Sequence, residues 1–567
     1  MMKIKMKIKT AIWSVIGLLF LIFIVVPFTN LQIAYNLRYS KPEISEKLYR
    51  ANLRYPINFM KDEALYNLSE DIMDGFGRDN IFLKARVGSK SLDYNKIISV
   101  TKNYEKIIEN YSKGKYFVPA YKSLMDTYIF LGDSGNLEKW IDWGKNHEKD
   151  EIIQMSIFYD SYNHFANREY EKSEEILDKA VDLGNRELDS MYYFLKGHIT
   201  FMKEDFDGAL EYYSTASDIG WQHGTHFFGN YAPDERKEWL ESLQFNNGKN
   251  KINGRIIVGD MGLPFVPVFL QYPNDGHRSR GGQFVGITDE DGYFETIGIK
   301  DGEYDIGVGI GSHILYDKVY LEKAEWTLNL SSDMEIDFKF TSPMKVLQPF
   351  SKEVVKGNKF TVEWEEVPGA DYYTVNTIVF SDEGKSSSMT FTLGYESKEE
   401  DIYIRDTQIV LDIEKLNNQR GGQFWSDDDS PINPESIIGY FYPGAERPII
   451  VNAYDKDGNM LGSSIPSTMY YEKLPSVKIE YGRLSEGEKI ILLKDYEEAI
   501  KYYEEKLRED ENNLEALKYL SKIHMIDWKM GKVDLDKAFI YSTKYYELTG
   551  DKMFLNRVLE NKKVMGN

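Results

Sequence analysis

The chain has no cysteine among its 567 residues. That removes disulfide frameworks, cysteine-ligated zinc, iron–sulfur clusters and thiol nucleophiles together. An exported protein without bridges fits a bacterial envelope better than an animal extracellular space. Proline is scarce, at 17, which argues against long disordered stalks. Basic residues fall short of acidic ones, 69 against 91, for a net charge of −22. Nucleic acid is therefore not an expected partner, because its binding rests on Lys and Arg neutralising phosphates.

Catalytic motifs are also missing. None of the eight histidines has a glutamate three residues later, so a carboxypeptidase zinc pair is absent. The chain contains neither Gly-x-x-x-x-Gly-Lys-Ser/Thr nor Gly-x-Ser-x-Gly. Gly307-Val-Gly309-Ile-Gly311 lacks the helix that a dinucleotide loop must open. His223 and His226 stand in a Gly-rich stretch with no acidic ligand beside them. Asp455, Asp457 and Asn459 imitate the start of a calcium loop. Gly458 is then fourth and Pro466 twelfth, where that loop needs Gly sixth and Glu twelfth. A hairpin turn explains them better. Asp427, Asp428 and Asp429 are expected to form a solvated acidic loop. The expectation is a protein that is not an enzyme, with no catalytic residue, no metal and no cofactor.

What is present begins with the N-terminus. Lys3, Lys5, Lys7 and Lys9 precede a stretch with no charge from Thr10 to Leu37. About 20 apolar residues span a bilayer as a helix, and the lysines hold the near end in the cytoplasm. A cleaved signal peptide would need a small-x-small site after the apolar core. Thr29 to Ala34 reads Thr-Asn-Leu-Gln-Ile-Ala, which is poor for that, so an uncleaved single-pass anchor is expected. The bulk of the chain then lies outside the cell membrane.

From about residue 45 to 245 the periodicity is helical and repetitive. Equivalent positions Ile107, Trp140, Ser173 and Ala209 are 33, 33 and 36 residues apart. That period is the one of paired helices in tetratricopeptide repeats. The segment resembles that family: Gly197 stands at the small position of helix A, and Ala209, Tyr213 and Ala216 match the small–aromatic–small pattern of helix B. Lys196 replaces the usual Leu and Trp221 stands where Pro often ends a repeat. The resemblance implies a concave face lined by helix A, with Phe194, His198 and Phe201 as groove candidates; packing in the core is the competing role for them. The motif returns at Asp495–Tyr503, with Ala538 matching Ala499 at a spacing of 39. Two repeats are fewer than a solenoid needs alone, so residues 485–567 are expected to dock on the first array or on a β domain.

Between the arrays the period switches to alternation. Gly262-x-Pro264-x-Val266-x-Val268, Thr288-Asp289-x-Asp291-Gly292-x-Phe294 and Gly302-x-Tyr304 follow in order. Residues 251–340 thereby resemble the carboxypeptidase regulatory-like, transthyretin-like β sandwich, a non-catalytic accessory domain. Residues 341–475 resemble a fibronectin type III or Ig-like sandwich, on Phe360-x-Val362-x-Trp364, Tyr373-x-Val375-x-Thr377-x-Val379 and the late Asp455–Asn459 hairpin, with extra loops around 381–445. Arg280-Gly-Gly-Gln-Phe284 recurs as Arg420-Gly-Gly-Gln-Phe424.

The expected architecture is multidomain α + β. It comprises a basic tip and transmembrane anchor (1–37), a helical solenoid (45–245), two β sandwiches (251–340 and 341–475) and a short helical repeat (485–567). The expected function is a membrane-anchored exported scaffold binding a protein or peptide partner. The alternatives are a surface protein binding cell-wall glycan through its 41 tyrosines and nine tryptophans, and a non-catalytic subunit beside an envelope enzyme or transporter.

Overall fold

The computed structural model describes residues 2–55, 58–75, 95–180, 186–219, 248–271, 283–315, 317–321, 327–380, 388–393, 403–418, 432–466, 474–529 and 532–565. The architecture is multidomain α + β, with an N-terminal apolar helix, a helical region after it and a β-rich middle. The described chain divides between Thr341 and Ser342 into two compact units.

In the first unit, helix α1 (Met2–Phe20) runs through one π-helical turn (Leu21–Val25) into α2 (Val26–Leu37). Among the described residues one helix, Ala11–Leu37, is long and apolar enough to cross a membrane. Helices α3 (Pro42–Leu53), α4 (Lys61–Gly75), α5 (Asn95–Asn110), α6 (Phe117–Leu131), α7 (Ser134–Lys145), α8 (Asp150–Ala166), α9 (Tyr170–Leu177), α10 (Arg186–Met202) and α11 (Phe206–Ile219) follow. They pack as successive hairpins because each buries an apolar stripe against the next. The four positions singled out by spacing fall on α5, α7, α9 and α11, and all are buried. A helix B therefore carries each one. Trp221 and the pair His223 and His226 lie outside the described residues.

The β module of this unit has two sheets. One contains β1 (Asn250–Val258), β2 (Met261–Gly262), β5 (Tyr293–Ile299), β7 (Val319–Tyr320), β9 (Met334–Glu335) and β10 (Phe338–Thr341), ordered β2-β1-β10-β7, with β5 and β9 also on β1. The other is β4-β3-β6-β8, built from β3 (Pro267–Gln271), β4 (Gln283–Ile287), β6 (Gly302–Val308) and β8 (Thr327–Leu330). A short α12 (Ser312–Leu315) follows β6. Tyr304, Ile306 and Val308 of β6 and Ile310 just after it alternate inward, each 2% exposed or less. Asp289 makes its turn by accepting from the amides of Asp291 and Tyr293, and Gly292 takes φ +82°.

The second unit also pairs two sheets around one core. Strands β11 (Val346–Gln348), β13 (Lys359–Trp364) and β16 (Gln408–Asp412) form one. The other runs β12-β19-β17-β14-β15, with β18 beside β17. Its strands are β12 (Lys352–Val355), β14 (Tyr372–Phe380), β15 (Ser388–Leu393), β17 (Glu446–Tyr454), β18 (Met460–Ser463) and β19 (Ser476–Ile479). Phe360, Val362 and Trp364 are its inward residues on β13. Asp455 accepts from the amides of Asp457 and Asn459, so these residues close a hairpin turn. Two short helices, α13 (Ile413–Asn417) and α14 (Glu435–Ile438), interrupt the sequence. The chain ends in α15 (Glu486–Leu492), α16 (Tyr496–Glu509), α17 (Leu514–Met525), α18 (Leu535–Thr549) and α19 (Met553–Met565). Ser485 and Glu488 form a capping box on α15, and Asp495, Asn513 and Asp534 cap the next three helices. Asp427, Asp428, Asp429 and the Arg420–Phe424 copy lie outside the described residues, as does Arg280 to Gly282 of the first copy.

Candidate binding surface

The groove candidates are interior residues. Phe194, His198 and Phe201 are 0%, 2% and 1% exposed. The Phe194 ring lies 4.6 Å from His198 and 5.5 Å from Tyr213, the His198 Nδ1 and Tyr213 hydroxyl share a 2.7 Å hydrogen bond, and Phe201 packs on Phe206 at 5.2 Å. These side chains are therefore spent on packing inside the α10–α11 hairpin and do not line an open groove. The neighbouring helix A repeats the pattern. Met155, Phe158, Tyr162 and Phe165 of α8 are all buried.

The β module of the same unit meets the array at Tyr162 of α8 and at the turns that follow α6 and α8. The Phe265 ring stacks on Tyr162 with 6.2 Å between centroids and 26° between planes. Phe265 holds φ +59°, the left-handed region that disfavours a bulky side chain, so the contact is made at a cost in backbone strain. Pro264 rests beside Gly132, the left-handed residue ending α6. Arg168, at the turn between α8 and α9, pairs with Asp289 at 2.5 Å, and Asn167 accepts from the Glu290 amide at 3.2 Å. One apolar core runs from Leu31 in α2 through the hairpins to Phe340 in the β module. Burial raises the Tyr162 hydroxyl pKa, helped by the Asp126 carboxylate, so Tyr162 stays neutral.

The second unit has the same arrangement. Ile432, Ile437 and Ile438 share a core with Ile491, Tyr496, Ala499, Tyr503, Tyr519, Leu520, Ile523 and Trp528. The main chain of this segment is held as well. The Tyr496 hydroxyl donates to the Ile432 carbonyl at 2.6 Å, and the Ile432 amide donates to the Trp528 carbonyl at 3.2 Å. The Lys522 ammonium, 3% exposed, donates to the carbonyls of Ile437 at 2.6 Å and Asn417 at 3.0 Å. Arg557 donates to the Asn418 carbonyl at 2.6 Å. The segment is tied to its own sheet by a buried pair, Arg447 with Glu435 at 2.9 Å. The C-terminal helices therefore dock on the second β module, one of the two sites expected for them. Residues 381–445, read from sequence as extra loops, supply that docking segment.

With the nominated groove residues buried, exposed and half-buried aromatic side chains elsewhere become the candidates. Trp143 on α7 is 37% exposed and is framed by Trp140 at 5.2 Å, His147 at 4.8 Å and Tyr121 at 5.7 Å. Half-buried Tyr192, Tyr193 and Tyr212 form a second patch on α10 and α11, with the Lys196 ammonium 5.8 Å from the Tyr192 ring and 5.4 Å from that of Tyr212. Lys196 also pairs with Asp178 at 2.5 Å, which gives this departure from the repeat pattern a surface role. Sequence reasoning passed over Trp143, because three residues after the buried Trp140 it shares that helix face and spacing alone does not separate it from the core. Among the described residues no group of three or more His, Asp or Glu is arranged to hold a metal ion.

No known family profile matches the chain. It is similar to a TPR repeat-containing protein of Methanocaldococcus jannaschii, 26% identical over 196 residues. The match covers 34% of this chain and 33% of that protein, so the chain spans about a third of its relative's length. A solved DUF3823 family protein from Bacteroides ovatus is 14% identical, covers 41% of this chain and 98% of that one, and has a TM-score of 0.14. Another from Parabacteroides merdae has 14% identity, 41% and 99% coverage and a TM-score of 0.13. At those TM-scores neither carries an argument. The helical hairpins and the relative fit a tetratricopeptide repeat array joined to β modules.

Proposed function

We propose that the chain is a non-catalytic scaffold, anchored in the cell membrane by Ala11–Leu37 with its N-terminus in the cytoplasm and its bulk outside. Its partner is a protein. The carrying observation is that the inner residues are already occupied: Phe194, His198 and Phe201 are buried within the first array, and Ile432–Ile438 of the second β module fill the face of α15 to α17. A partner is then met by outward surfaces, with Trp143 and the Tyr192–Tyr193–Tyr212 patch as anchors of the residue types that dominate protein interfaces. We take the first β module as carboxypeptidase regulatory-like and the second as fibronectin type III or Ig-like. The ordered turns at Asp289 and Asp455 and the buried Trp364 support those assignments.

Crosslinking in native membranes with a C-terminally tagged chain, followed by mass spectrometry, tests the reading. One protein or complex should dominate, and Trp143→Ala with Tyr192→Ala, in chains that still fold by circular dichroism, should reduce its capture about tenfold or more. Undiminished capture by that variant would move the partner surface off the first array.

A second reading, glycan binding by the β modules, is favoured by three tyrosines at one end of the second module. Tyr372 stacks on its cross-strand partner Tyr454 at 5.1 Å and meets Tyr403, 41% exposed, at 4.5 Å. Wall glycan retained by the chain and lost with Tyr372→Ala and Tyr403→Ala would establish it. Retention unchanged in that variant would reduce the cluster to a cross-strand pair that steadies the sheet.

A further inference from the structure

The last turns of the apolar helix belong to the folded body. Ala11–Leu37 is 27 residues, or about 40 Å of helix, whereas a bilayer core takes about 30 Å. The excess falls where the structure buries it. Pro27 is buried, Leu31 is 2% exposed and Ala34 is fully buried, all in a helix otherwise open to its surroundings. Two buried polar side chains of α3 reach main-chain carbonyls of this helix. Asn52, fully buried, donates from Nδ2 to the Pro27 carbonyl at 2.8 Å. Ser45, 1% exposed, donates from Oγ to the Ala34 carbonyl at 2.8 Å. Cutting the chain anywhere from 29 to 37 would strip the Pro27 carbonyl from Asn52, a cut after Ala34 would also take the Ala34 carbonyl from Ser45, and either would uncover apolar surface.

The point where the helix leaves the body is also marked. Asn58 donates to the Oδ1 of Asn52 at 2.9 Å, the same side chain that holds Pro27. The next residue, Phe59, is 80% exposed, and Phe28 beside Pro27 is 51% exposed. Arg54 is exposed nearby and Lys61 half-exposed. Aromatic rings flanked by cations at the end of a spanning helix suit the headgroup layer, where ring and ammonium each find their solvent.

We propose that the anchor is retained uncut and joins the array without a linker, and that the α3–α4 turn, through Phe59, rests in the headgroup layer of the outer leaflet. The body is thereby held at a fixed height and tilt on the bilayer. This rests on the anchor reading above. The absence of cysteine makes the test clean. Single-cysteine chains, Leu18→Cys, Phe59→Cys and Met261→Cys, carry nitroxide labels in full-length protein reconstituted into phosphatidylcholine–phosphatidylglycerol vesicles. Met261, 75% exposed on the β module, is the aqueous reference. The accessibility ratio of oxygen to a water-soluble nickel chelate should be lowest at 261, raised at 59 and highest at 18. If 59 equals 261 while 18 lies in lipid, the anchor stands and this inference falls. If 18 is also aqueous, the anchor reading falls with it. Terminal peptide mass spectrometry of the membrane-extracted chain should recover residues before 29; a mature start between 29 and 37 overturns the proposal.

Discussion

Gly197 shows what a single atom decides. A Cβ built there would stand 2.6 Å from the Tyr213 ring, so glycine lets the two helices of the hairpin close. Gly197→Ala gains about 1 kcal/mol of helix propensity but overpacks the hairpin at about 1–3 kcal/mol, and net destabilisation in a denaturant melt is expected. Gly135 in α7 has nothing within 4 Å of its would-be Cβ, so Gly135→Ala should stabilise instead, which separates crowding from helix propensity. The same device stands at Gly487, whose added Cβ would strike the Tyr503 ring. The spacing from Gly487 to Ala499 and Tyr503 repeats that from Gly197 to Ala209 and Tyr213. The sequence held this signal, yet helix B motifs at Asp495 drew attention away from the helix A residue before them. His524 argues differently. It is 5% exposed, and burial, assisted by the Lys537 charge against the pull of Asp534 and Glu504, holds its pKa below the ordinary value. Below about pH 6.5 an unfolded chain takes a proton that the folded one refuses, so stability falls as pH drops through that window. His524→Phe should flatten the fall in melting temperature of the second unit between pH 7.5 and 5.5; an unchanged slope would assign the effect to other groups.

At the scale of elements, periodicity made the helices and strands legible because each has an apolar face repeated at its own period. Their docking was not legible. Phe265 takes a left-handed conformation that its residue type does not advertise, and only the stacked Tyr162 explains it. Phe265→Ala removes a buried ring, and a loss of about 3–5 kcal/mol is expected for such a deletion. Hydrogen exchange in α8 should quicken in that variant; unchanged exchange there would show that the β module does not steady the array. Residues 432–438 carry no repeat or motif, so their role emerges only from three isoleucines meeting α15 to α17. Lys522→Met would leave the carbonyls of Ile437 and Asn417 without their charged donor. Hydrogen bonds to charged groups contribute about 1.5–3 kcal/mol each, and removing a buried ammonium offsets part of that, so a loss of about 2–3 kcal/mol in a urea melt is expected.

For the whole molecule, the two units share one principle: a helical array shares its apolar packing with the β module of its own unit. Sequence spacing revealed the arrays and, through them, a concave face, but exposure is a tertiary property, and the residues nominated for that face are buried. The occupancy can be measured. A fluorescent peptide of residues 432–441 should not bind the wild-type chain, because its site on α15 to α17 is already held by the identical segment. Ile437→Asp with Ile438→Asp should expel that segment, and the same peptide should then bind with saturable anisotropy. Adding Lys522→Met to the expelled variant should weaken that binding about tenfold or more, since the charged donor to the peptide's Ile437 carbonyl is lost. Equal binding to wild type would mean that the C-terminal helices have a second, open site. No binding to a folded expelled variant would mean that the segment is a structural staple alone.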